Sequence, residues 1–310
     1  MTSPTFYYIS ATHDRFTDEK MRSEARALGL ETVTIDPRKT RIAIDENGGA
    51  RVIESGKDLF IDSDAVVYRK SILPFAWVIQ KLLMDRGATA VSGKRLDSGK
   101  AGMDKLGDYI LLAGRNVRVP RTITVGNLDQ LAEARDDLGN RFPLILKKVS
   151  GTHGIGVFLA PTLETLKPIV EYILQGDDTA VVLLQEFVSS SEGKDIRAVV
   201  LDGEMIAAVL RDNRGRDFRA NVYQGAVPGT VTLDDDQKAT AVRAATALGC
   251  ELAGVDLLLG RDGPIVAEVN SPCDFSFVEQ TTGIPVTRRI LTFLMEKHKA
   301  RRNADFGIGN

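Results

Sequence analysis

The sequence predicts a mixed α/β (α+β) protein that folds as two or three domains. Its 310 residues exceed the size at which a single hydrophobic core stops growing. Short apolar runs alternate with helical patterns up to Val91, whereas pairs of apolar runs around Gly-containing turns dominate after Arg121. We therefore expect a small α/β domain first, strand-rich domains after it, and a large cleft between domains.

The N-terminal part predicts strands alternating with helices. Apolar runs indicate the strands, and apolar residues spaced by three or four positions indicate the helices. The predicted strands lie at 5–10, 32–35 and 65–68, a hairpin around an Asn-Gly-Gly turn at 41–54, and the helices at 14–28 and 72–84. The Gly-rich stretch 92–102 predicts a connection to the next domain.

The rest of the chain predicts strand pairs that are separated by helices. Strands at 142–149 and 156–160 flank a short glycine loop, and later hairpins turn at Asp202-Gly203 and Asp262-Gly263. The remaining predicted strands lie at 181–188, 195–201, 204–210, 253–259 and 264–269, and the helices at 103–113, 163–175, 234–248 and 285–296. We expect the polar tail from residue 301 onward to be mobile.

The composition argues against several classes of function. Lysine and arginine total 40 against 42 acidic residues, so the formal net charge of −2 predicts neither a nucleic-acid nor a membrane partner. Two cysteines and three scattered histidines indicate neither a disulfide framework nor a zinc site. The first residues lack a basic segment followed by an apolar one, and no run of about 18 apolar residues occurs. We expect a cytoplasmic protein.

Three oxygen-bearing side chains on the last predicted hairpin indicate a magnesium site. Asp256 and Glu268 lie equally far on either side of Asp262 at the turn, so we expect them opposite each other on one face. Together with Asn270 they form a set of hard oxygen donors, which Mg²⁺ prefers. An exposed polar face of the sheet is the alternative. A Glu buried directly after an apolar strand would be costly without a cation, which favours the metal.

A glycine-rich loop, Ser150 to Gly156, follows Lys147 and Lys148. Glycines let a backbone approach phosphate oxygens closely, and a lysine supplies a point charge. The loop is not a Walker loop, because no Gly-Lys-Ser/Thr follows it. An ordinary turn is the alternative. Strand alternation directs only one of the two lysines toward buried apolar neighbours, and we predict that this is Lys147.

The strand from Leu183 to Val188 indicates a purine site. The backbone at its end can hydrogen-bond a purine edge, and Phe187 and Val188 can form an apolar wall. Asp195 can accept a hydrogen bond from a ribose hydroxyl. An ordinary core strand that leads into a loop is the alternative.

Several arginines lie on and after two paired strands. A guanidinium matches phosphate or carboxylate oxygens, so this group suits a site where a phosphoryl group meets a substrate carboxylate. Solvated charge is the better interpretation of the two in the turn, Arg214 and Arg216. A nucleic-acid groove is disfavoured because aromatic side chains are sparse nearby. The group consists of Arg197, Arg211, Arg214, Arg216 and Arg219, with Asn221 close behind.

Taken in this order, these stretches resemble the ATP-grasp superfamily, and most closely its RimK-type branch of glutamate and amino-acid ligases. The resemblance covers about residues 100 to 297. Its most specific stretches are FPLILKKVSGTHGIGV, LLQEFV, KDIRAVV, RDFRAN, AGVDLLL, AEVN and TTGI. It implies a three-domain enzyme in which central and C-terminal domains clasp ATP between antiparallel sheets. The implied boundaries are 1–95, 96–187 and 188–310.

The resemblance also implies roles for individual residues. Asp256, Glu268 and Asn270 correspond to the ligands of Mg²⁺, with Mn²⁺ as the alternative cation. Arg197 and Arg211 match arginines suited to the carboxylate substrate and the acyl phosphate, so we predict them as catalytic residues. The residues implied to bind ATP are Lys105, Lys147, Gly151, Thr152, Gly154, Glu186, Phe187, Val188, Asp195, Arg219 and Asn221.

The chain departs from the family at one motif. Family members usually continue the metal motif as Asn-x-x-Pro-Gly, whereas here Pro272 lies only two residues after Asn270. The N-terminal ninety residues match loosely, although Arg69 occupies a place where family members carry an arginine near the substrate. Dimers and tetramers are common in the family, so the resemblance also implies a homo-oligomer.

The predicted reaction joins a carboxylate to an amine through an acyl phosphate, with ADP as the other product. Such chemistry depends on positioning and charge stabilisation, which fits a chain without a Ser-His-Asp or Cys-His arrangement. The expected partners are a small-molecule carboxylate and an amine, or a peptide or protein acceptor. The alternatives are a ligase that modifies a ribosomal peptide and a nucleotide-binding regulatory protein without turnover.

Overall fold

The structure is a computed structural model in which the chain folds into two compact units. Unit 1 comprises Met1–Gly93 with Ser271–Asn310, and unit 2 comprises Lys94–Asn270. Residues 271–310, predicted to belong to the C-terminal domain, thus fold with the N-terminal unit. The three-domain division itself stays a prediction. The structure describes residues 3–11, 14–46, 49–54, 56–59, 64–93, 105–149, 156–175, 180–215 and 217–305.

The secondary structure mixes strands and helices throughout, which confirms the predicted fold class. The strands are β1 (Thr5–Ile9), β2 (Glu31–Ile35), β3 (Thr40–Ile44), β4 (Ala50–Glu54), β5 (Lys57–Asp58), β6 (Ala65–Arg69), β7 (Thr89–Ala90), β8 (Thr122–Val125), β9 (Leu144–Lys148), β10 (Val157–Ala160), β11 (Val182–Glu186), β12 (Lys194–Leu201), β13 (Glu204–Asp212), β14 (Val227–Thr230), β15 (Leu252–Gly260) and β16 (Gly263–Asn270). The helices are α1 (Arg15–Ala27), α2 (Pro74–Asp85), α3 (Lys105–Ala113), α4 (Leu131–Asp137), α5 (Leu163–Gln175), α6 (Asp235–Ala247), α7 (Ser276–Thr282) and α8 (Val286–Asp305).

Unit 1 is built on a parallel sheet in the order β2-β1-β6-β7. A smaller antiparallel sheet, β3-β4-β5, follows β2. The chain runs from β1 through α1 to β2 on one side of β1, and it later returns to β6 on the other side. The carboxyl ends of β1 and β6 therefore form a switch point, where ligands commonly bind in open α/β sheets. Arg69 is the last residue of β6 and pairs with Ile9 of β1.

The last helix is longer than predicted, because α8 continues through residues 297–305. Its extra turns are held to the sheet of unit 1 by polar contacts. Lys297 donates to the carbonyl of Ala90 at 3.0 Å, and His298 lies 2.8 Å from Asp64 and 2.9 Å from Thr89. Residues 301–305, which were predicted to belong to the polar tail, thus form the last turn of this helix. None of the helices in the described ranges has the length and apolar character needed to cross a bilayer.

Unit 2 contains two antiparallel sheets. The four-stranded sheet has the order β10-β9-β11-β8 and packs its core against α4 and α5. The five-stranded sheet has the order β14-β13-β12-β15-β16 and packs one face against α3 and α6. Successive side chains of a strand point to opposite faces of the sheet. Ile196 and Ala198 of β12 lie in the core, so Asp195 and Arg197 point to the other face.

The hairpins at 194–212 and 252–270 confirm the predicted strand pairs. The sequence did not predict six elements, which are β5, β7, β8, β14, α4 and α7. Strand β14 has the sequence VPGT, whose Pro and Gly predict a loop. It forms because it is an edge strand that pairs with β13 on one side only, with Pro228 opposite Arg211, and an edge tolerates Pro.

Leu184→Ala should lower the free energy of unfolding by about 2–5 kcal/mol, because Leu184 is fully buried between the four-stranded sheet and its helices and its loss leaves a cavity. Urea unfolding followed by circular dichroism measures the change. Leu111→Ala is the matched control, since Leu111 is 42% exposed. Equal effects of the two substitutions would contradict this placement of the core.

Candidate active site

A cavity lies between the two antiparallel sheets of unit 2. The four-stranded sheet supplies Ile145 and Lys147, and the five-stranded sheet supplies Asp256, Leu258 and Glu268. Each wall of the cavity therefore carries both charged and apolar groups. The lining residues are Pro120, Ile145, Lys147, Val157, Gln185, Glu186, Phe187, Val188, Ser191, Lys194, Asp195, Arg211, Phe218, Arg219, Ala220, Asn221, Asp256, Leu258, Ala267 and Glu268.

Strand register brings four charged side chains together on the cavity side of the five-stranded sheet. Asp195 of β12 pairs with Arg211 of β13, and Arg197 of β12 pairs with Asp256 of β15. All four are buried, with 3–7% of their surface exposed. Two carboxylates and two guanidinium groups balance in charge, as burial of ions requires. We call these four residues the buried ion network.

Each arginine of the network makes a two-pronged contact with a carboxylate. Nε and Nη2 of Arg211 donate to the two carboxylate oxygens of Asp195 at 2.6 and 2.5 Å. Nε and Nη2 of Arg197 donate to Oδ1 and Oδ2 of Asp256 at 2.5 and 3.1 Å. Nη2 of Arg211 also lies 3.0 Å from Oδ1 of Asp256. Arg211 thus links both carboxylates, and such forked contacts fix orientation.

The network gives its two carboxyl groups different pKa values. Burial raises the pKa of Asp195 to about 6, and the negative charge of Asp256 adds to this effect. Burial acts in the same direction on Asp256, but the charges of Arg197 and Arg211 outweigh it and lower the pKa of Asp256. Burial opposes the charged form of Arg211, yet both carboxylates together raise its pKa. Asp256 is therefore ionised at neutral pH.

Glu268 lies directly beside Asp256, because the two residues pair across β15 and β16. Residues paired in this way point to the same face, as predicted. Asn270, two residues further along β16, lies opposite Gly254 and shares that face. The side chain of Glu268 is 38% exposed, and Nζ of Lys105 lies 3.9 Å from its Oε1. One carboxylate is thus fixed by arginines, and the other remains accessible from the cavity.

The donor set fits a hard divalent cation that has few protein ligands. A carboxylate has about four lone-pair sites, and the contacts to Arg197 and Arg211 leave Asp256 one site on Oδ2. Glu268 and Asn270 add further oxygens. No three His, Cys, Asp or Glu side chains converge to hold a metal within the described ranges. Mg²⁺ needs no such cage, because it usually keeps waters and phosphate oxygens in its other positions.

Lys147 lies on the opposite wall of the cavity. It pairs with Val157 of β10 and Leu183 of β11, and alternation places it on the same face as Ile145. Both Lys147 and Ile145 line the cavity, whereas Lys148 is exposed. The wall that faces the two carboxylates therefore carries a cation.

The segment after β11 forms one end of the cavity. Oε1 of Glu186 accepts a hydrogen bond from the backbone N–H of Arg121 at 2.9 Å, and the backbone N–H of Glu186 donates to the carbonyl of Arg121 at 3.0 Å. This exchange fixes the end of the strand. Phe187 and Val188, which follow at once, line the cavity with apolar surface.

A loop after β13 forms the side of the cavity. Nδ2 of Asn213, which is 1% exposed, donates to the carbonyl of Arg219 at 2.6 Å. The backbone N–H of Asn213 donates to the carbonyl of Gly193, and that of Gly193 donates to the carbonyl of Phe218. These bonds hold the run from Phe218 to Asn221 against the cavity.

A comparison with known protein families identifies the domain that carries this cavity. Residues 102–294 match the RimK-like ATP-grasp domain. The chain belongs to this family. As a RimK-like ATP-grasp protein, it is an ATP-dependent ligase.

Some relatives and solved structures are similar to this chain over nearly its full length. The probable alpha-L-glutamate ligase of Shewanella loihica is 36% identical over 206 residues, which is 66% of this chain and 67% of that protein. The probable alpha-L-glutamate ligase of Vibrio atlanticus is 29% identical over 303 residues, or 97% and 98% of the two chains. The ATP-grasp ligase PsnB, solved with a minimal precursor, has a TM-score of 0.72 and 19% identity over 95% of this chain and 99% of that chain.

The cavity of this ATP-grasp ligase brings together most of the residues that the sequence singled out. Three predicted residues do not line it: Lys105, Arg197 and Asn270. Arg197 instead lies beside Asp256 on the neighbouring strand and donates to its carboxylate. Gly151, Thr152 and Gly154 fall outside the described residues. The predicted residues that line the cavity are Lys147, Glu186, Phe187, Val188, Asp195, Arg211, Arg219, Asn221, Asp256 and Glu268.

Sequence reasoning missed most of the apolar lining. Ile145 lies two residues before Lys147, and Leu258 lies two residues after Asp256, so strand alternation contained the signal. Gln185 is 1% exposed and donates to the hydroxyl of Thr122 at 2.6 Å. Nothing in the sequence indicates that partner, because β8 and β11 are about sixty residues apart and meet only in the folded sheet.

Arg211→Ala should lower the free energy of unfolding by about 3–5 kcal/mol, because it leaves the buried carboxylate of Asp195 without its cation. Arg135→Ala is the matched control, since Arg135 bonds the exposed Asp136 and such surface pairs contribute about 0–1 kcal/mol. Urea unfolding of both variants measures the difference. A loss no larger for Arg211→Ala than for Arg135→Ala would show that the ion network is not buried in solution.

Proposed function

We propose that this ligase uses ATP to convert a carboxylate into an acyl phosphate and then transfers the acyl group to an amine. The observation that supports this most is the cavity of unit 2, where Lys147 on one wall faces Asp256, Glu268 and Arg211 on the other. Positive charge on both sides of a space with two carboxylates suits a triphosphate that is bound together with a divalent cation.

The phosphates of ATP lie between Lys147 and Arg211 in this proposal. The ammonium of Lys147 neutralises phosphate oxygens from one wall. Arg211 is oriented by Asp195 and Asp256 before any substrate arrives, so its charge stabilises the transferring phosphoryl group without reorganisation. The substrate carboxylate attacks the γ-phosphorus, ADP leaves, and the amine then attacks the acyl carbon and releases phosphate.

Asp256, Glu268 and Asn270 would hold Mg²⁺ at the phosphate end of the cavity. When bound, the cation draws charge from the phosphate oxygens and aligns them for transfer. Arg197 serves as a positioning residue, because its guanidinium fixes both oxygens of Asp256. Manganese, which accepts the same oxygen donors, is the alternative cation.

The base and ribose of ATP occupy the other end of the cavity. Phe187 and Val188 supply apolar surface against the adenine, and the loop from Arg219 to Asn221 closes over the side. Asp195 is engaged with Arg211 through both carboxylate oxygens. A ribose hydroxyl can still donate to a remaining lone pair of Asp195.

The proposed reaction adds an amino acid such as glutamate to an acceptor. Two relatives that align with this chain carry the name probable alpha-L-glutamate ligase, one of them over nearly the full length of both chains. The proposed acceptor is a small molecule, a peptide or a protein. PsnB was solved with a precursor, but its 19% identity extends the likeness to the fold alone.

Arg69 of unit 1 is the proposed binding residue for an anionic group of a substrate. Its Nε donates to Oε1 of Gln80 and its Nη1 to the carbonyl of Ser71, both at 2.7 Å. Both acceptors are neutral. Burial lowers the pKa of Arg69 to about 10, and no carboxylate pairs with it among the residues that the structure describes. A partly buried cation without an anion, at the switch point of a parallel sheet, suits an anionic ligand.

Glu268→Gln should abolish most of the magnesium-dependent release of ADP, because it removes the accessible carboxylate beside Asp256. Wild type incubated with ATP, Mg²⁺, L-glutamate and hydroxylamine should yield a hydroxamate, which traps the acyl phosphate. A panel of other amino acids and dicarboxylates covers the alternative acids. The variant should form at least about tenfold less hydroxamate, the loss expected for one charge-stabilising group.

Glu133→Gln on the exposed face of α4 is the matched control and should react like wild type. Failure of wild type to release ADP or form hydroxamate with any acid of the panel would contradict the reaction. Equal activity of Glu268→Gln and Glu133→Gln would contradict the metal site while leaving the reaction in place. Amino acids and short peptides, offered as the amine in place of hydroxylamine, then separate small-molecule from peptide acceptors.

Arg69→Gln should raise the KM for the carboxylate or acceptor substrate about tenfold or more, because a charge-assisted contact is lost. The KM for ATP should not change, since Arg69 belongs to unit 1 and the proposed ATP site lies in unit 2. Arg38→Gln is the control, because Arg38 already pairs with Asp36 at the surface of unit 1. A change confined to the KM for ATP would contradict the proposed role.

A further inference from the structure

Helix α3 presents two polar side chains to β16. Lys105 and Tyr109 lie one turn apart and therefore on the same face of the helix. Nζ of Lys105 lies 3.9 Å from Oε1 of Glu268, and the hydroxyl of Tyr109 donates to the carbonyl of Ala267 at 2.8 Å. The helix thus contacts two successive residues of the strand that carries the proposed metal ligands.

The ring of Tyr109 is fixed by its surroundings. Tyr109 is 5% exposed and belongs to the apolar core beneath the five-stranded sheet, together with Leu112 of the same helix. A tyrosine has only two side-chain torsions, so packing of the ring leaves its hydroxyl oxygen at one place. The bond to Ala267 also fixes the direction of the hydroxyl hydrogen.

The hydroxyl oxygen of Tyr109 faces Lys147. A phenol has one hydrogen to donate, and here Ala267 accepts it, so the lone pairs stay available for a donor. Nζ of Lys147 donates to this oxygen at 3.4 Å. One buried hydroxyl therefore bridges the lysine of β9 and the backbone of β16.

We propose that Tyr109 is a positioning residue that holds the ammonium of Lys147 at the phosphate end of the cavity. Lysine side chains are flexible, and each fixed torsion costs conformational entropy that ATP would otherwise have to supply on binding. The hydroxyl of Tyr109 lowers that cost and keeps the ammonium of Lys147 on the side of the cavity that faces Glu268. This inference rests on the proposed function, because it assigns Lys147 to the phosphates of ATP.

A purely structural role for the same hydroxyl predicts a different pattern of effects. A bond that only ties α3 to β16 would alter the whole cavity when it is lost, so every ligand of the cavity would weaken. Loss of the positioning of Lys147 would weaken only ligands that carry phosphates beyond the nucleoside. Adenosine, which has no phosphate, therefore separates the two roles.

Calorimetry with Tyr109→Phe tests the proposal. The substitution keeps the ring and removes the hydroxyl. In the presence of Mg²⁺ it should raise the Kd of ATP and ADP about 3- to 10-fold, the range of one hydrogen bond, and leave the Kd of adenosine unchanged. Tyr172→Phe is the matched control, because Tyr172 is 81% exposed in the same unit, and it should bind all three ligands like wild type.

A second measurement repeats Tyr109→Phe in a Lys147→Ala background. The proposal expects no further rise in the Kd of ATP there, because the lysine that the hydroxyl holds is gone. An unchanged Kd of ATP in Tyr109→Phe, an equal weakening of adenosine, or the full effect in the Lys147→Ala background would each overturn it. If wild type itself binds no ATP with Mg²⁺, the proposed function fails, and this inference fails with it.

Discussion

The buried ion network of Asp195, Arg197, Arg211 and Asp256 is the constraint on which the active-site wall depends. A single buried ion of this kind would cost several kcal/mol, and only the alternation of two anions with two cations makes its burial tolerable. The four residues come from three strands, so they meet only in one register of β13, β12 and β15. A shift by one residue would turn these charges into the apolar core on the other face.

The network also makes the two neighbouring carboxylates of the wall differ in their exposure to solvent. Asp256 is held by two arginines and is almost closed to solvent, whereas its neighbour Glu268 is 38% exposed. A divalent cation at this pair would thus meet one rigid ligand and one that can adjust. Preorganisation of the rigid half matters most for phosphoryl transfer, because fixed charges stabilise the transition state without reorganising. Lys147 on the opposite wall adds a cation that faces these two carboxylates.

The sequence predicted the hairpins and the positions of most cavity residues because both follow from local rules. Alternation and a turn residue suffice to place Asp256 opposite Glu268, and the structure has this pairing. Which side chains contact each other across distant strands does not follow from such rules. Arg197 was predicted as a catalytic residue, yet its guanidinium lies against Asp256, which is 59 positions away. The strand VPGT escaped prediction for the same reason, since pairing with β13 stabilises it against its local preference.

The arginines of the two units differ in how their charges are balanced. Arg197 and Arg211 have carboxylates within the protein, so their charges are balanced without a ligand. Arg69 has two neutral acceptors, Gln80 and the carbonyl of Ser71, and burial already lowers its pKa. A folded protein gains nothing in stability from such a residue, because an apolar side chain of similar size would cost less. An anionic group of a ligase substrate is therefore its proposed partner.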